Sequence, residues 1–338
     1  MSVAAGDYLA ARIKVMVGRL LPLKALHKLI ELDLEQIHVS LQQQLPGYVP
    51  QPSAAAQKRQ LNMAMYSDFK TLLTPLTSVE QRFIKHALRW FELVNLKAVI
   101  RGKFTGVPEA ELTRQLVNLG EYADLPTREL IETDDPFEML RSLEQTAYGG
   151  IVRQARKVFE EQGQDLFSLD AAIDRSFFIE MTHRARFLDQ ATAASLKSVL
   201  GALLDRFNLL WLMRYRFSYG LTPAKSYYLL TATGNTLHSA QLLKLAQVGS
   251  VAELIEQLPP KLNQLLAGQQ DIYHIEQIME LYSLSAARAC FRPGHSLMAM
   301  LFSYLVLREA ETRFLCAITK GKELGFDQKL IERAVVNA

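Results

Sequence analysis

The stretches NLKAVIRGK (Asn95–Lys103) and FLCAITKGK (Phe314–Lys322) are two versions of one nine-residue motif in a single chain. Each has a leucine in second place, an isoleucine near the middle, and a cation, a glycine and a lysine at its end. Cations in the last turn suit the negative end of a helix, and glycine can adopt the left-handed conformation that ends it. We therefore predict that helices stop at Gly102 and Gly321, and that the chain contains an internal repeat.

An acidic residue before this motif, or before its equivalent in the middle of the chain, marks three copies of the repeat. After each acid the sequence keeps a helical pattern up to a glycine, which an apolar residue and a helix-starting residue follow. The acid–glycine pairs are Glu92 and Gly106, Asp205 and Gly220, and Glu311 and Gly325, with separations of 14, 15 and 14 residues. The starting residues are Pro108, suited to a first helical position, and Thr222 and Asp327, suited to N-caps. In the middle copy Arg214-Tyr215-Arg216 replaces the cation–glycine–lysine ending, so we expect its helix to continue to Tyr219-Gly220.

The match extends upstream in two of the copies. LDAAID, from Leu169, and IEQIME, from Ile275, each begin 36 residues before their acid and read as amphipathic helix starts. The first copy has the proline-rich stretch Pro46–Pro52 in that interval and lacks the match. Strand-like alternation is not evident anywhere. We predict an all-α protein of three helical repeats of about 110 residues, covering residues 1–115, 116–225 and 226–338.

Composition narrows the functional classes. The chain has 338 residues, 49% hydrophobic and 22% charged, with a net charge of +3, and its cations are scattered among acids. Nucleic acid is therefore not expected as a partner, since phosphate binding needs clustered cations. The longest apolar run, Ser296–Leu307, is far shorter than the about 20 residues of a membrane span, and no signal peptide is evident. Cys290 and Cys316 are predicted to be buried thiols in a reducing cytoplasm.

Motifs for catalysis are weak or absent in the sequence. The chain contains no GxxxxGK[ST] or GxGxxG phosphate loop, no HExxH metal motif and no GxSxG elbow. DDPFE (Asp134–Glu138) has the spacing that binds magnesium–diphosphate in all-helical prenyl transferases, but it equally suits a helix start. The aromatic and arginine-rich stretch Phe207–Gly220 suits a nucleic-acid platform or a core helix, and its interleaved leucines favour the core helix. We predict no catalytic, cofactor-binding or metal site.

Paired cations recur at equivalent places in all three copies. They either close helices only, or also form a contact surface, and we take them as candidate interface residues. The six residues are Arg101, Lys103, Arg214, Arg216, Lys320 and Lys322.

Three stretches together resemble one known family. They are ELVNLKAVIRGK with the following FTGV, the ending LREAETRFLCAITKGKELGFDQKLIERAVV, and the opening Tyr8-x-x-x-Arg12 with IKVMVGRLL. They resemble the C subunit of the prokaryotic V-type or A-type ATPase (ATP synthase), whose eukaryotic counterpart is the V-ATPase d subunit. Phe314 stands where the family usually has asparagine, and Cys316 where a basic residue is common. We expect a buried apolar contact to replace a polar one there.

The resemblance implies a non-catalytic part of the central rotor. Such subunits look like a funnel of three helical subdomains around a pseudo-threefold axis, on the cytoplasmic face of the membrane proteolipid ring. They receive the end of the central shaft, so the implied partners are the shaft subunits and the ring. One copy per complex, monomeric when isolated, is expected, with no cofactor and no small-molecule substrate. A helical scaffold or adaptor with another partner is the alternative, and a prenyl-transferase-like enzyme is the third possibility.

Overall fold

The computed structural model describes residues 3–116, 124–161, 166–231, 234 and 236–335. Within these ranges the regular structure is helical, with one isolated bridge residue at His238, so the predicted all-α class is confirmed. The α-helices there are α1 (Val3–Gly18), α2 (Leu23–Glu31), α3 (Leu34–Gln44), α4 (Ala54–Leu73), α5 (Ser78–Thr105), α6 (Glu109–Gln115), α7 (Thr127–Glu132), α8 (Pro136–Ser142), α9 (Gly149–Glu161), α10 (Leu166–Ala185), α11 (Gln190–Met213), α12 (Pro223–Tyr228), α13 (Ser239–Ala246), α14 (Val251–Glu256), α15 (Pro260–Leu266), α16 (Ile272–Ala289), α17 (Leu297–Glu323) and α18 (Gln328–Ala334). A 3₁₀ turn spans Leu143–Gln145 and a π-helix spans Arg214–Ser218.

The described residues divide into two compact units. The first takes its residues from Met1–Thr77, Leu188–Tyr227 and Ala232–Ala338, and the second from Ser78–Phe187 and Tyr228–Thr231. Neither unit coincides with one of the predicted repeats, and the division into three repeats stays a prediction.

Within the units the helices pack in a recurring order. Three consecutive helix pairs, α4–α5, α10–α11 and α16–α17, each end in a long helix that carries one of the marker acids. In the second unit α5 packs on α10, and in the first unit α11 packs on α16 and α17 packs on α4. Each long helix thus contacts the first helix of the next pair, and the third pair contacts the first. In the first copy, α4 stands where the sequence lacked an upstream match.

The helices end later than the repeated motif predicted. α5 continues past Gly102 and α17 past Gly321, so the predicted stops at these two glycines are wrong. The chain leaves the helices at Gly106 and Gly325, each with a φ of 70°. A left-handed φ is open to glycine at little cost because it has no Cβ. The glycine spacing after the marker acids therefore identified the true ends.

Gly102 and Gly321 serve close packing instead. A Cβ on Gly321 would lie 2.6 Å from Cγ1 of Ile331 on α18. A Cβ on Gly102 would likewise run into the side chain of Leu112 on α6. The glycine of the motif is therefore the position at which the short following helix packs against the long one.

In the middle copy a π-helix precedes the glycine that ends the long helix. Its acid–glycine interval is one residue longer, and the extra residue falls where Arg214–Ser218 forms the π turn. The amide of Leu221 donates to the carbonyl of Tyr215, six residues back, at 2.8 Å. In the other copies the equivalent bond spans five residues. A π turn absorbs one inserted residue without ending the helix, so the predicted continuation to Tyr219-Gly220 is confirmed.

The helices that follow the glycines begin largely as predicted. Asp327 is the N-cap of α18 and accepts from the amide of Leu330 at 2.8 Å. The hydroxyl of Thr222 accepts from the amide of Lys225 at 3.3 Å. Pro108 is an N-cap residue rather than the first helical residue, because α6 begins one residue later.

The core accounts for one of the two departures from the family pattern. Phe314 is fully buried in α17, as expected for an apolar replacement. Cys290 is buried, but Cys316 is only half-buried, so the prediction of two buried thiols is right for Cys290 alone.

The close approach of α17 and α18 gives a first prediction. We expect Gly321→Ala to lower the free energy of unfolding by about 1–3 kcal/mol, because the new methyl group overpacks Ile331. In an Ile331→Ala background the same substitution should be neutral or stabilising, since alanine is the better helix former. Urea unfolding measures both. Gly150→Ala is the control, because Gly150 lies in α9 with nothing within 4 Å of a new Cβ. Equal effects of Gly321→Ala in both backgrounds would contradict the packing role.

A buried histidine joins α5 to α10. His86 is 1% exposed, and its Nε2 lies 3.0 Å from the carbonyl oxygen of Phe177. A carbonyl only accepts, so Nε2 carries the proton and donates it. The ring also stacks on Phe177 with centroids 4.7 Å apart. Burial, with smaller contributions from Arg184 and Arg89, lowers the pKa of His86 to about 3.

This histidine should make stability depend on pH. Its folded pKa lies below the ordinary value of about 6.5, so the unfolded chain binds the extra proton as pH falls through that window. We expect the free energy of unfolding to fall between pH 6.5 and about 3, with a limiting slope of about 1.4 kcal/mol per pH unit from this residue. The free energy of unfolding of the unchanged chain and of His86→Gln is measured in urea from pH 7 to 4. The difference between the two values at each pH is the contribution of His86. A difference that does not vary with pH would refute it.

Candidate interaction surface

The three marker acids are buried in the middle of long helices. Glu92 on α5, Asp205 on α11 and Glu311 on α17 are 3%, 0% and 3% exposed. Burying a carboxylate is unfavourable unless its oxygens are hydrogen-bonded. In each copy the bond comes from the same kind of donor, the backbone amide of a buried leucine. The donors are Leu125 to Glu92 at 2.6 Å, Leu237 to Asp205 at 2.8 Å, and Leu21 to Glu311 at 2.6 Å.

Each of these leucines stands directly before a short helix. Leu125 precedes α7, Leu237 precedes α13 and Leu21 precedes α2, with one N-cap residue between them in every case. A negative side chain is favoured near the positive end of a helix. The buried acid therefore anchors the start of a short helix against the middle of a long one.

The position of the donor along the chain differs in the third copy. Leu125 and Leu237 follow their acids by 33 and 32 residues, whereas Leu21 precedes Glu311 by 290 residues. The N-terminal segment thus supplies to the third copy what the following segment supplies to the other two. Sequence analysis missed this contact. The sequence carries no distinctive signal for it, since Leu-Pro stands at Leu21-Pro22 and Leu125-Pro126 but also at Leu45-Pro46 and Leu258-Pro259, and not at Leu237.

The electrostatic surroundings of the acids are not alike. Burial raises the pKa of Glu92, although the amide of Leu125 opposes the shift. Glu311 also pairs with the guanidinium of Arg308, one turn before it on α17. Asp205 accepts a second amide, from Thr236, at 3.0 Å. The bond to the leucine amide is therefore common to all three acids, whereas their other hydrogen-bond and ion-pair partners differ.

Two of the candidate interface cations join neighbouring helices. Arg101 on α5 pairs with Asp170 on α10 at 2.9 Å, and Arg214 pairs with Glu276 on α16 at 2.8 Å. Asp170 and Glu276 are the second residues of the matched stretches LDAAID and IEQIME. The two bridges are therefore the same interaction in successive copies. The third equivalent cation, Lys320, pairs within its own helix with Glu323 at 3.0 Å.

The second cation of each copy has a more internal role. Lys103 is largely covered and lies 3.6 Å from Glu109 at the start of α6. Arg216 donates to the carbonyls of Ala246 and Val248 at the end of α13, at 2.8 and 3.2 Å. It thereby caps a helix other than its own. Lys322 is half-buried and forms no ion pair with the residues that the structure describes.

The motifs that suggested other functions have structural explanations. Asp135 is the N-cap of α8 and accepts from the amide of Phe137 at 2.8 Å, with Pro136 in the first turn. DDPFE is thus a helix start. Trp211 and Tyr215 in the aromatic stretch are buried, as a core helix requires. Across the part of the chain that the structure describes, no group of three His, Cys, Asp or Glu residues is placed to hold a metal ion.

No helix among the described residues is both long enough and apolar enough to span a bilayer. The described residues thus form two all-helical units in which short helices are anchored to long helices through buried carboxylates. This chain belongs to the ATP synthase (C/AC39) subunit family, whose model matches residues 9–334. The family is a non-catalytic structural subunit of the rotary ATPase, and the resemblance seen in the sequence is confirmed.

Three relatives show how far the similarity extends, and each is the C subunit of an A-type ATP synthase. The chain is 27% identical over 285 residues to that of Halorubrum lacusprofundi, a match covering 82% of this chain and 80% of the relative. It is 24% identical over 288 residues to that of Haloferax volcanii, with the same coverage of 82% and 80%. It is 20% identical over 343 residues to that of Methanosarcina mazei, covering 97% and 92%.

The anchoring bonds give the third prediction. Glu92→Ala should lower the free energy of unfolding by about 1–3 kcal/mol more than Glu92→Gln, because only glutamine retains an acceptor for the Leu125 amide. Glu311→Gln should be more damaging than Glu92→Gln, by about 3–5 kcal/mol, because it leaves the buried Arg308 without its carboxylate. Urea unfolding at pH 7 measures all three variants. If Glu92→Gln were as damaging as Glu92→Ala, the amide bond would not be the stabilising contact.

Proposed function

We propose that this chain is the single-copy central-rotor component that connects the central shaft of a rotary ATPase to its membrane proteolipid ring. It would thereby couple proton or sodium transport to ATP hydrolysis or synthesis. The observation that carries the proposal is family membership over nearly the whole chain, together with three long helices that repeat one anchoring contact to a short helix. The partners are then the shaft subunits and the ring. The protein would lie on the cytoplasmic, inner face of the membrane, held there through the ring.

The order of helix packing supports a funnel of three similar subdomains. α5 contacts α10, α11 contacts α16, and α17 contacts α4, so every long helix has an equivalent neighbour. A threefold arrangement gives each copy the same environment and closes the series. We keep residues 1–115, 116–225 and 226–338 as the proposed repeats. The bond from Leu21 to Glu311 assigns part of the first range to the packing of the third copy.

A part that transmits torque has to be stiff, and the contacts described above suit that demand. Hydrogen bonds to ionised groups are stronger than neutral ones, and buried polar networks are rigid when every partner is present. The glycine contacts bring the short helices against the long ones with little free space. These interior contacts would make each unit stiff.

Attachment to the ring would run through protein contacts at the cation-bearing helix ends. Arg101, Arg214 and Lys320 occupy equivalent positions, and all three remain partly or largely exposed although each has an acidic partner. Exposed ion pairs contribute about 0–1 kcal/mol each and weaken with salt. A rim of these residues would therefore hold the ring through many weak contacts. Lys103, Arg216 and Lys322 would complete the rim.

Charge reversal tests this attachment. We expect Arg101→Glu/Arg214→Glu/Lys320→Glu to reduce retention on rotor-ring membranes several-fold, and the retention of the unchanged chain to fall as salt rises. Co-sedimentation measures retention, and circular dichroism checks that the variant folds. The matched control reverses three exposed, ion-paired cations elsewhere, in Arg128→Glu/Arg141→Glu/Lys157→Glu. Unchanged retention of the folded first variant would show that these cations serve only the contacts within this chain.

A further inference from the structure

A pocket lies in the second unit, between the first turns of α5 and the last turns of α10. It is lined by Val79, Arg82, Glu180, His183, Arg184 and Phe187. Its volume of about 280 Å³ is close to the lower limit of about 300 Å³ for pockets that hold drug-sized molecules. A ligand that this pocket encloses is therefore small.

The lining carries more positive than negative charge. Arg82 and Arg184 contribute two guanidinium groups, and Glu180 contributes one carboxylate. Arg82 is exposed and forms no ion pair with the residues that the structure describes. Its charge is therefore available to a ligand.

Arg184 has a hydrogen-bond donor without an acceptor. Its Nη2 pairs with Oε1 of Glu180 at 2.8 Å, which orients the guanidinium group. Its Nε is buried and has no hydrogen-bond partner among the described residues. A buried donor without an acceptor is unfavourable, so an oxygen atom that accepts from Nε would stabilise the pocket.

The positive potential extends from the pocket into the core of the second unit. Burial is the main cause of the low pKa of His86, but the charges of Arg184 and Arg89 lower this pKa further. An anion bound beside Arg184 would reduce that potential.

The apolar part of the lining is held open. Phe187 is 65% exposed, and its ring meets the ring of His183 edge to face, with centroids 4.9 Å apart. Since Arg82 is exposed as well, a small ion can enter the pocket from solvent without a movement of the helices.

We propose that this pocket binds a phosphate-class oxyanion. A tetrahedral oxyanion presents several acceptor atoms at once, which suits guanidinium groups that donate in a fixed planar geometry. Glu180 alone would repel such an ion, but Arg184 compensates its charge and Arg82 remains in excess. The phosphate group is either free or the end of a nucleotide.

The pocket is separate from the proposed rim of cations. Arg82 precedes the rim residue Arg101 by 19 residues on α5, which corresponds to about 28 Å along the helix axis. An ion in the pocket therefore leaves the rim free, and the proposed attachment to the ring does not depend on this site.

Titration calorimetry with inorganic phosphate, at neutral pH and constant ionic strength, tests the site on the full chain. The variant is Arg82→Glu, and the matched control is Lys85→Glu, which reverses an exposed cation on α5 that does not line the pocket. We expect one phosphate per unchanged chain. Arg82→Glu should bind it about tenfold or more weakly, whereas Lys85→Glu should change the affinity by less than about twofold.

ADP and adenosine distinguish the two sources of the phosphate group. Tighter binding of ADP than of phosphate, with no binding of adenosine, assigns the pocket to the end of a nucleotide. Equal or weaker binding of ADP assigns it to free phosphate, and both results support the proposal. Binding of adenosine without binding of phosphate would overturn it.

Three further results would also refute the site. They are no binding of phosphate or ADP to the unchanged chain, equal weakening by Arg82→Glu and Lys85→Glu, and full affinity of folded Arg82→Glu. Should Arg82→Glu not fold, the ring resonances of His183 in the unchanged chain decide, because phosphate in the pocket has to shift them. The absence of such a shift would overturn the proposal, and retention on rotor-ring membranes tests the proposed function separately.

Discussion

A buried carboxylate that accepts the amide of a distant leucine is the contact that fixes each of three short helices against its long helix. Burial of a carboxylate without a hydrogen-bond donor raises the free energy of the folded state. The bond therefore favours the one arrangement of helices that places a backbone amide beside the carboxylate. Once the bond forms, it fixes where the short helix begins and which face of the long helix it meets. The apolar contacts around it can vary between copies, and they do. The acid and the leucine amide keep the same roles in all three cases.

Much of this architecture was accessible from the sequence, and the reason is local chemistry. Helix ends at Gly106, Gly220 and Gly325 follow from glycine's access to left-handed φ, and the caps at Thr222 and Asp327 follow from their side chains. Gly102 and Gly321 were misassigned because a glycine needed for close packing looks the same as one that ends a helix. Only the partner helix, ten residues further on, distinguishes the two, and its position is a tertiary fact.

The candidate surface was less predictable. The spacing placed six cations at equivalent positions, but it could not show that Arg216 is committed to the carbonyls of another helix while Arg101 and Arg214 bridge helix pairs. These partners lie 30 or more residues away and depend on packing order. The leucine donors were missed for the same reason. The π-helix is an intermediate case, since an interval of 15 residues instead of 14 indicated an insertion but not how the backbone absorbs it.

The bond between Leu21 and Glu311 spans 290 residues, and this has a consequence for biosynthesis. A ribosome synthesises α1 and α2 long before the Glu311 carboxylate, the acceptor for the amide of Leu21 that precedes α2. Until then the amide of Leu21 has no native acceptor, and α2 has no long helix to start against. Glu92 and Asp205, by contrast, find their donors within about one repeat of synthesis. The segment around Leu21 thus waits through the synthesis of 290 further residues for its acceptor, and the nascent protein carries an unfinished α2 contact during that interval.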